Sequence, residues 1–258
     1  MNIVVCLKIT PDPEDLEIGP DGSVSTTHAE WKTGSFDLPA LEAGVRLAEM
    51  HGGKVIALSA GTSQINQSKV RKDILSRGAE ELVLVVDDAL KDASTAETAL
   101  VLEKAIRKLT DVQLVLFGEG SADLYFQQTG VQVGERLGWV TLNAVQDVRL
   151  LENEALEVQR IVEHELQVLD VPLPAVLCVT SDICEPRLAS MREILRASKK
   201  TVFEWSLSDI GIEGLTPSVE IVKVMAPPRA SRKGEMLSGS VEEMVSALVN
   251  NLRKDGVL

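Results

Sequence analysis

Four short aliphatic runs, Ile3 to Leu7, Lys54 to Ser59, Glu81 to Val86 and Gln113 to Phe117, constrain the fold of this chain most. Each has Val, Ile or Leu on successive residues, the pattern of parallel strands covered on both faces. Between them lie helical patterns. Leu41, Val45 and Ala48 are followed by a Gly52-Gly53 stop, and Val70, Ile74 and Leu75 end at Gly78. Leu100, Leu102, Ile106 and Leu109 follow the capping residues Ser94 and Thr95. Strand, helix, strand order with short loops predicts an α/β fold, a doubly wound and mostly parallel sheet. Its ligand crevice is expected at the carboxyl ends of the strands.

Two segments break the rhythm. Residues 14 to 27, centred on Gly19-Pro20-Asp21-Gly22, read as a β-hairpin inserted after the first strand. Residues 145 to 170 read as two strands around Leu151-Glu152-Asn153-Glu154, after which Leu173-Pro174 introduces an aliphatic strand, Ala175 to Val179. Beyond Asp182 the character changes. Gly211 to Pro228 is punctuated by Pro and Gly, with one strand expected at Val219 to Val224, and Val241 to Leu252 is an amphipathic helix. A tail of this kind is expected to wrap a neighbouring subunit or its own sheet.

Composition excludes several function classes. The chain has 258 residues, 45% of them hydrophobic, enough for a sizeable core. A net charge of −13 argues against nucleic-acid binding, which depends on Lys and Arg, and against anionic membrane surfaces. No run approaches the roughly 18 apolar residues of a membrane span, so no membrane insertion is expected. The start, Met1 to Leu7, reads as a strand and not a signal peptide. Cys6, Cys178 and Cys184 have no CxxC spacing and leave one thiol unpaired, which suits a reducing cytoplasm. Cys6 and Cys178 lie in apolar strands and read as small buried hydrophobes. His28, His51 and His164 show no metal-ligand spacing, and no G-x-S-x-G elbow occurs. No catalytic or metal residue is nominated.

Residues 117 to 130, F-G-E-G-S-A-D-L-Y-F-Q-Q-T-G, carry neither the third glycine of a dinucleotide fingerprint nor a Walker lysine. A strand ends at Gly118, however, and Gln128-Thr129-Gly130 opens a helix running through Val131, Val133 and Leu137 to Gly138-Trp139. Its free N–H groups suit a phosphate, with Thr129 as a further donor and Gly130 allowing close approach. Equally, Thr129 is a simple helix cap. Glu119 suits a phosphate only if it points away. A second anomaly is the window from Glu185 to Lys200, with five basic and two acidic residues in an acidic chain. Arg192, Arg196 and Lys200 are expected on one helical face, and Met191, Ile194 and Leu195 on an apolar side. That helix either anchors a partner protein or packs on its own domain.

In order along the chain, Val5-Cys6-Leu7-Lys8 with Pro11-Asp12, the hairpin G-P-D-G, and Ser35-Phe36-Asp37 before A-L-E-A-G-V-R-L form a set of landmarks. Ser59-Ala60-Gly61, the loop from Gly118 to Gln128-Thr129-Gly130, L-P-A-V and E-P-R-L-A-S complete it. With these, the chain resembles the beta subunit of electron transfer flavoproteins, the FixA family, nearly end to end.

The resemblance implies a Rossmann-like sheet of the adenine nucleotide alpha hydrolase type with inserted hairpins and an extended C-terminal arm. Residues 1–182 would form the nucleotide-binding domain, and residues 183–258 a recognition loop and an arm contacting a FixB-like alpha subunit. The alpha subunit would carry most contacts to a redox-active FAD; the beta chain would bury AMP or, in bifurcating members, a second FAD. By position, the nucleotide would touch Cys6, Gly34, Ser35, Phe36, Asp37, Ala60, Asp123, Gln127, Gln128, Thr129 and Gly130, with Phe36 approaching the partner's flavin. Glu185, Pro186, Arg187, Met191, Arg192 and Arg196 match the segment that docks a flavin dehydrogenase, and electrons would pass on to a downstream acceptor. The sequence departs from the family at Gly34-Ser35, at Leu124 to Gln127 and at Met191-Arg192. A competing reading is an adenine-nucleotide-binding regulatory protein of universal-stress type, without redox work.

Overall fold

A computed structural model describes residues 1–152, 155–216, 218–227 and 234–258. Its strands are β1 (Asn2–Cys6), β2 (Ile9–Pro11), β3 (Glu17–Ile18), β4 (Val24–Ser25), β5 (Trp31–Thr33), β6 (Lys54–Gly61), β7 (Glu81–Val86) and β8 (Val112–Gly118). They continue with β9 (Val140–Leu150), β10 (Leu156–Val162), β11 (Glu165–Val171), β12 (Ala175–Val179) and β13 (Thr201–Trp205). The helices are α1 (Asp37–His51), α2 (Ser68–Ser76), α3 (Thr95–Lys108), α4 (Thr129–Leu137), α5 (Met191–Ala197) and α6 (Val241–Lys254).

One nine-stranded sheet runs in the order β11-β10-β9-β12-β8-β1-β6-β7-β13. The strands from β9 to β13 in that order pair in parallel, while β10 and β11 add antiparallel at one edge. The unbroken aliphatic runs are explained by two cores. Ile3, Val5, Leu114, Leu116 and Leu177 face α1 and α2, whereas Val4, Cys6, Val115, Phe117 and Val176 face α3 and α4. Each strand therefore feeds two apolar layers, and a polar residue on either face would be buried.

The helix boundaries follow from capping. Ser94 and Glu97 form a reciprocal capping box at the start of α3, as Ser190 with Glu193 and Ser240 with Glu243 do for α5 and α6. α4 stops at Gly138, which takes the left-handed conformation that a β-carbon disfavours.

The inserted hairpin is present as β3 paired with β4, and a second ribbon, β2 with β5, brackets it. Four expectations need correction or completion. The segment from 145 to 170 forms three strands and not two, since β11 returns along β10 through the turn at Glu163-His164; Asn153 and Glu154 lie outside the described residues. Residues 219–224 form no strand. Met225 makes an isolated bridge to Ser23; Pro228 lies outside the described residues. The helix after Ser190 ends at Ala197, so Lys200 does not continue a face with Arg192 and Arg196. Its ammonium instead donates to the Leu75 and Ala79 carbonyls at 2.8 and 2.6 Å, in the last turn of α2 and just past it. Finally, β13 extends the sheet beyond β7, so the chain past Asp182 returns to the main sheet before its last, exposed part. That last part is tied to α3 where the Ser218 N–H donates to Glu97, whose carboxyl the Ser218 hydroxyl and the Ser94 N–H hold down at about 2.

Candidate functional site

Chain order along the sheet reverses between β1 and β8: β1, β6 and β7 step one way, and β8 then lies on the other side of β1. Crevices in such sheets open at this point, at the strands' carboxyl ends. Asp37, the first residue of α1, closes its inner wall. Its carboxylate accepts the Lys8 N–H at 2.9 Å and is bonded by the Gly118 N–H, linking the chain two residues past β1 to the last residue of β8. Asp37 is 5% exposed. Burial pushes its carboxyl up to about 7, opposed by those two backbone donors and the Lys8 charge and aided by Asp123.

Lys8 reaches over the crevice to Asp123, with its ammonium 2.8 and 2.7 Å from the two carboxylate oxygens. Burial works against the Asp123 carboxylate, yet Lys8 and Ser121 hold it below the usual range. The loop that carries Asp123 also brings Tyr125 onto Phe36, ring centroids 5.0 Å apart. Leu124, Tyr125 and Phe126 are all exposed.

The first turn of α4 forms the third wall. Gln128 and not Thr129 takes the cap position, and it makes no side-chain cap bond, so Thr129 is the first helical residue. The hydroxyl of Thr95, at the start of α3, donates to Gln128 Oε1 at 2.8 Å and accepts from Gln132 Nε2 at 3.4 Å, leaving the buried Gln132 Oε1 without a partner. Two helix N-termini thus meet beside the loop, and their amides and dipoles suit a negative charge. Gly130 also has a packing duty that its sequence context did not show. A β-carbon there would stand 2.4 Å from Cys178 Sγ and 3.0 Å from Phe117 Cγ, so the glycine lets α4 sit directly on β8 and β12.

Of the residues nominated for a nucleotide, Gly34, Phe36, Asp37 and Asp123 gather around Lys8, and Gln128, Thr129 and Gly130 line the α4 entrance. Gly34 is held by its N–H to the Lys8 carbonyl at 2.8 Å, and Ser35 beside it is exposed. Ala60 is the last residue but one of the neighbouring β6, and Gln127 sits in the loop at a φ of 57°. Cys6 is buried against Phe117 and Cys178; burial, then Asp37 and Cys178, push its thiol well up, so it serves as a small apolar side chain. Cys178, equally buried, is pushed up to about 12.

The second nominated group divides in two. Arg187 is engaged within the chain: its guanidinium bonds Glu42 at 2.6 and 3.2 Å and Glu49 at 2.7 and 3.0 Å, which raises its pKa. Arg46 also binds Glu42 and donates to the Glu185 carbonyl at 3.2 Å, so α1 clamps the Glu185-Pro186-Arg187 turn. Past this clamp the surface is open. Leu188, Met191 and Leu195 are 88%, 74% and 69% exposed, flanked by the exposed Arg192 and Arg196. A shallow groove of about 510 Å³, lined by Lys69, Lys72, Asp73 and Ile194 among others, runs between α2 and α5.

Lys8, Gly118 and Thr95 belong to the site but were not nominated. Lys8 was findable as the residue following the first strand, whereas nothing local links Thr95 to Gln128. Among the described residues, no group of three His, Cys, Asp or Glu side chains could hold a metal, and no helix is long and apolar enough to cross a membrane. The electron transfer flavoprotein domain matches residues 22–210, a span that includes β6 to β8, the loop from 119 to 128, α4 and the Arg187 clamp. On that match the chain belongs to the electron transfer flavoprotein family.

Proposed function

We propose that this chain is the beta-type, FixA-like subunit of a heterodimeric electron transfer flavoprotein, working in the cytoplasm with a FixB-like alpha subunit. In this reading it holds AMP in the crevice between β1 and β8 and helps to position an FAD carried mainly by its partner. The observation behind it is the convergence at one switch point of the α4 amides, Thr129 and the Phe36 ring, inside the region matched by the family, with Lys8 from the preceding segment. Bound FAD supplies the electron chemistry, and the protein positions it and tunes its potential. This chain's own tasks are structural. The α4 amides and the Thr129 hydroxyl donate to the phosphate, the Asp37 brace keeps β1 and β8 in register, and Phe36 faces the partner's flavin.

The segment with Glu185, Pro186, Arg187, Met191, Arg192 and Arg196 then serves to dock a flavin dehydrogenase, from which electrons continue to an acceptor. Arg187 holds the segment to α1, while Met191 is the apolar anchor. Residues 1–182 are the nucleotide-binding part, and residues 183–258 supply the docking segment and an arm for the alpha subunit, with β13 tying them to the sheet. The exposed apolar side of α6, at Val241, Val245 and Leu248, supports that role for the arm.

Co-expression with the alpha-type chain, then denaturing release and identification of every bound nucleotide, tests the assignment. One FAD and one AMP per heterodimer support it, whereas two flavins point to the bifurcating form. A colourless complex refutes it, and a stable homodimer that binds ATP and ignores the alpha chain favours the universal-stress alternative.

A further inference from the structure

The loop between β8 and α4 lies in the open, with every residue from Ala122 to Gln128 exposed. Its Tyr125 and Gln127 take φ values of 49° and 57°, a left-handed backbone that costs energy in residues other than glycine and persists where outside contacts hold it. Two contacts reach this loop from the opposite rim of the crevice. Lys8 Nζ stands 2.8 and 2.7 Å from the two Asp123 carboxylate oxygens, and the Phe36 ring lies 5.0 Å from that of Tyr125. Lys8 is itself fixed through its backbone: its N–H donates to Asp37 at 2.9 Å, and its carbonyl accepts the Gly34 N–H at 2.8 Å. Asp123 is oriented in turn by the Leu124 N–H, which it accepts at 2.8 Å. The ion pair therefore spans the mouth of the crevice, from the chain just past β1 to the loop that follows β8.

We propose that Lys8 is a positioning residue that fastens this loop across the crevice through Asp123 and so sets how fast a nucleotide enters and leaves. The inference rests on the nucleotide reading and deepens it, since it assigns the Lys8 ammonium to the protein's own carboxylate and not to the phosphate. The two roles differ in sign. An ammonium that held the phosphate would draw AMP in, so its loss would slow AMP entry and leave adenosine untouched, and loss of Asp123 would strengthen AMP binding. A fastener does otherwise: loss of either partner frees the loop, and a ligand without a phosphate then enters and escapes faster.

Binding kinetics of adenosine and, separately, of AMP on nucleotide-stripped full-length protein separate the two roles. Lys8→Met and Asp123→Asn should each raise the entry and escape rates of adenosine about fivefold, the worth of a half-exposed ion pair, with little change in its affinity. Unchanged adenosine rates, or a loss confined to AMP when Lys8 is replaced, overturn the proposal. A second arm needs no ligand. Chymotrypsin cuts after aromatic residues, Tyr125 and Phe126 are exposed in the loop, and cleavage there follows the population of the released form. Both single variants should be cut at these residues about fivefold faster than wild type. Lys8→Asp combined with Asp123→Lys rebuilds the pair in reverse and should return to the wild-type rate. Equal cleavage of all four proteins overturns the fastening, as does a reversed pair that is cut as fast as the single variants. If wild-type protein binds neither ligand, the nucleotide reading fails on its own, and the cleavage arm still decides whether Lys8 holds the loop.

Discussion

Replacing Gly130 with alanine tests whether this glycine serves the packing of α4 or the approach of a ligand. The added β-carbon would stand 2.4 Å from Cys178 Sγ and 3.0 Å from Phe117 Cγ, whereas unbonded carbon atoms pack at about 3.5–4.0 Å and sulfur needs more. Neither neighbour has room to retreat. Phe117 and Cys178 are 7% and 5% exposed, and they lie side by side on β8 and β12. Overpacking of this kind costs about 1–3 kcal/mol, against which alanine's helix propensity returns less than about 1 kcal/mol at a first-turn position. A net loss of about 2 kcal/mol is expected for Gly130→Ala, read as a lower urea midpoint with an unchanged slope. Cys178→Ala removes the nearer obstacle at a cost of about 1 kcal/mol for the small void it leaves. The double variant should therefore be more stable than the sum of the two losses, by about 1 kcal/mol. A wild-type midpoint for Gly130→Ala, or strict additivity in the double variant, would refute the packing argument.

Three further outcomes follow from the same geometry. Arg187→Ala leaves the nearly buried Glu42 with Arg46 alone. Breaking a buried pair costs about 3–5 kcal/mol, and the remaining partner with the exposed Glu49 reduces this to about 2 kcal/mol, or about 4–8 °C in Tm. Arg187 holds the Glu42 and Glu49 carboxyls below 4.5, so the difference from wild type should be full above that pH and fade as pH falls through the lowered values; a pH-independent difference contradicts the pairing. Asp37 behaves oppositely. Its folded pKa of about 7 lies above the ordinary 3.8, so the folded state binds the extra proton and loses stability as pH rises from about 4 to 7, by at most about 4 kcal/mol. The urea midpoint of wild type should thus fall between pH 5 and 8 more than that of Asp37→Asn, and parallel profiles would remove the buried carboxyl from the account. Met191→Ala should leave bound flavin intact and slow electron transfer from the dehydrogenase, as expected of an exposed anchor. Loss of flavin instead would make this segment structural.

The two-sided core was legible from the chain itself, because a strand between two helical layers is apolar at successive central positions, as in Ile3 to Cys6, Val55 to Leu58, Leu82 to Val86, Leu114 to Phe117 and Ala175 to Val179. Helix starts were equally legible where Ser and Glu sit three apart, since capping is a local bond. β13 was missed because Thr201 to Trp205 is a short edge strand, partly exposed on both faces, with neither the continuous apolar run nor the strict alternation that marks the others. The expected strand at 219–224 did not form: alternation alone makes no ladder, and the nearest pairing is the isolated bridge from Met225 to Ser23.

Sequence by itself determined the layered α/β fold, since apolar strands alternating with amphipathic helices allow little else, while the spatial order of the strands set the switch point between β1 and β8. Only the tertiary structure decided what each side chain does there. Lys8 meets Asp123 across 115 residues, and Arg187 meets Glu42 across 145. Such contacts leave no periodicity to read, because their energies depend on burial and distance and not on spacing along the chain. The same holds for Gly130, whose surroundings in sequence suggest a ligand and whose surroundings in space are a sulfur and a ring.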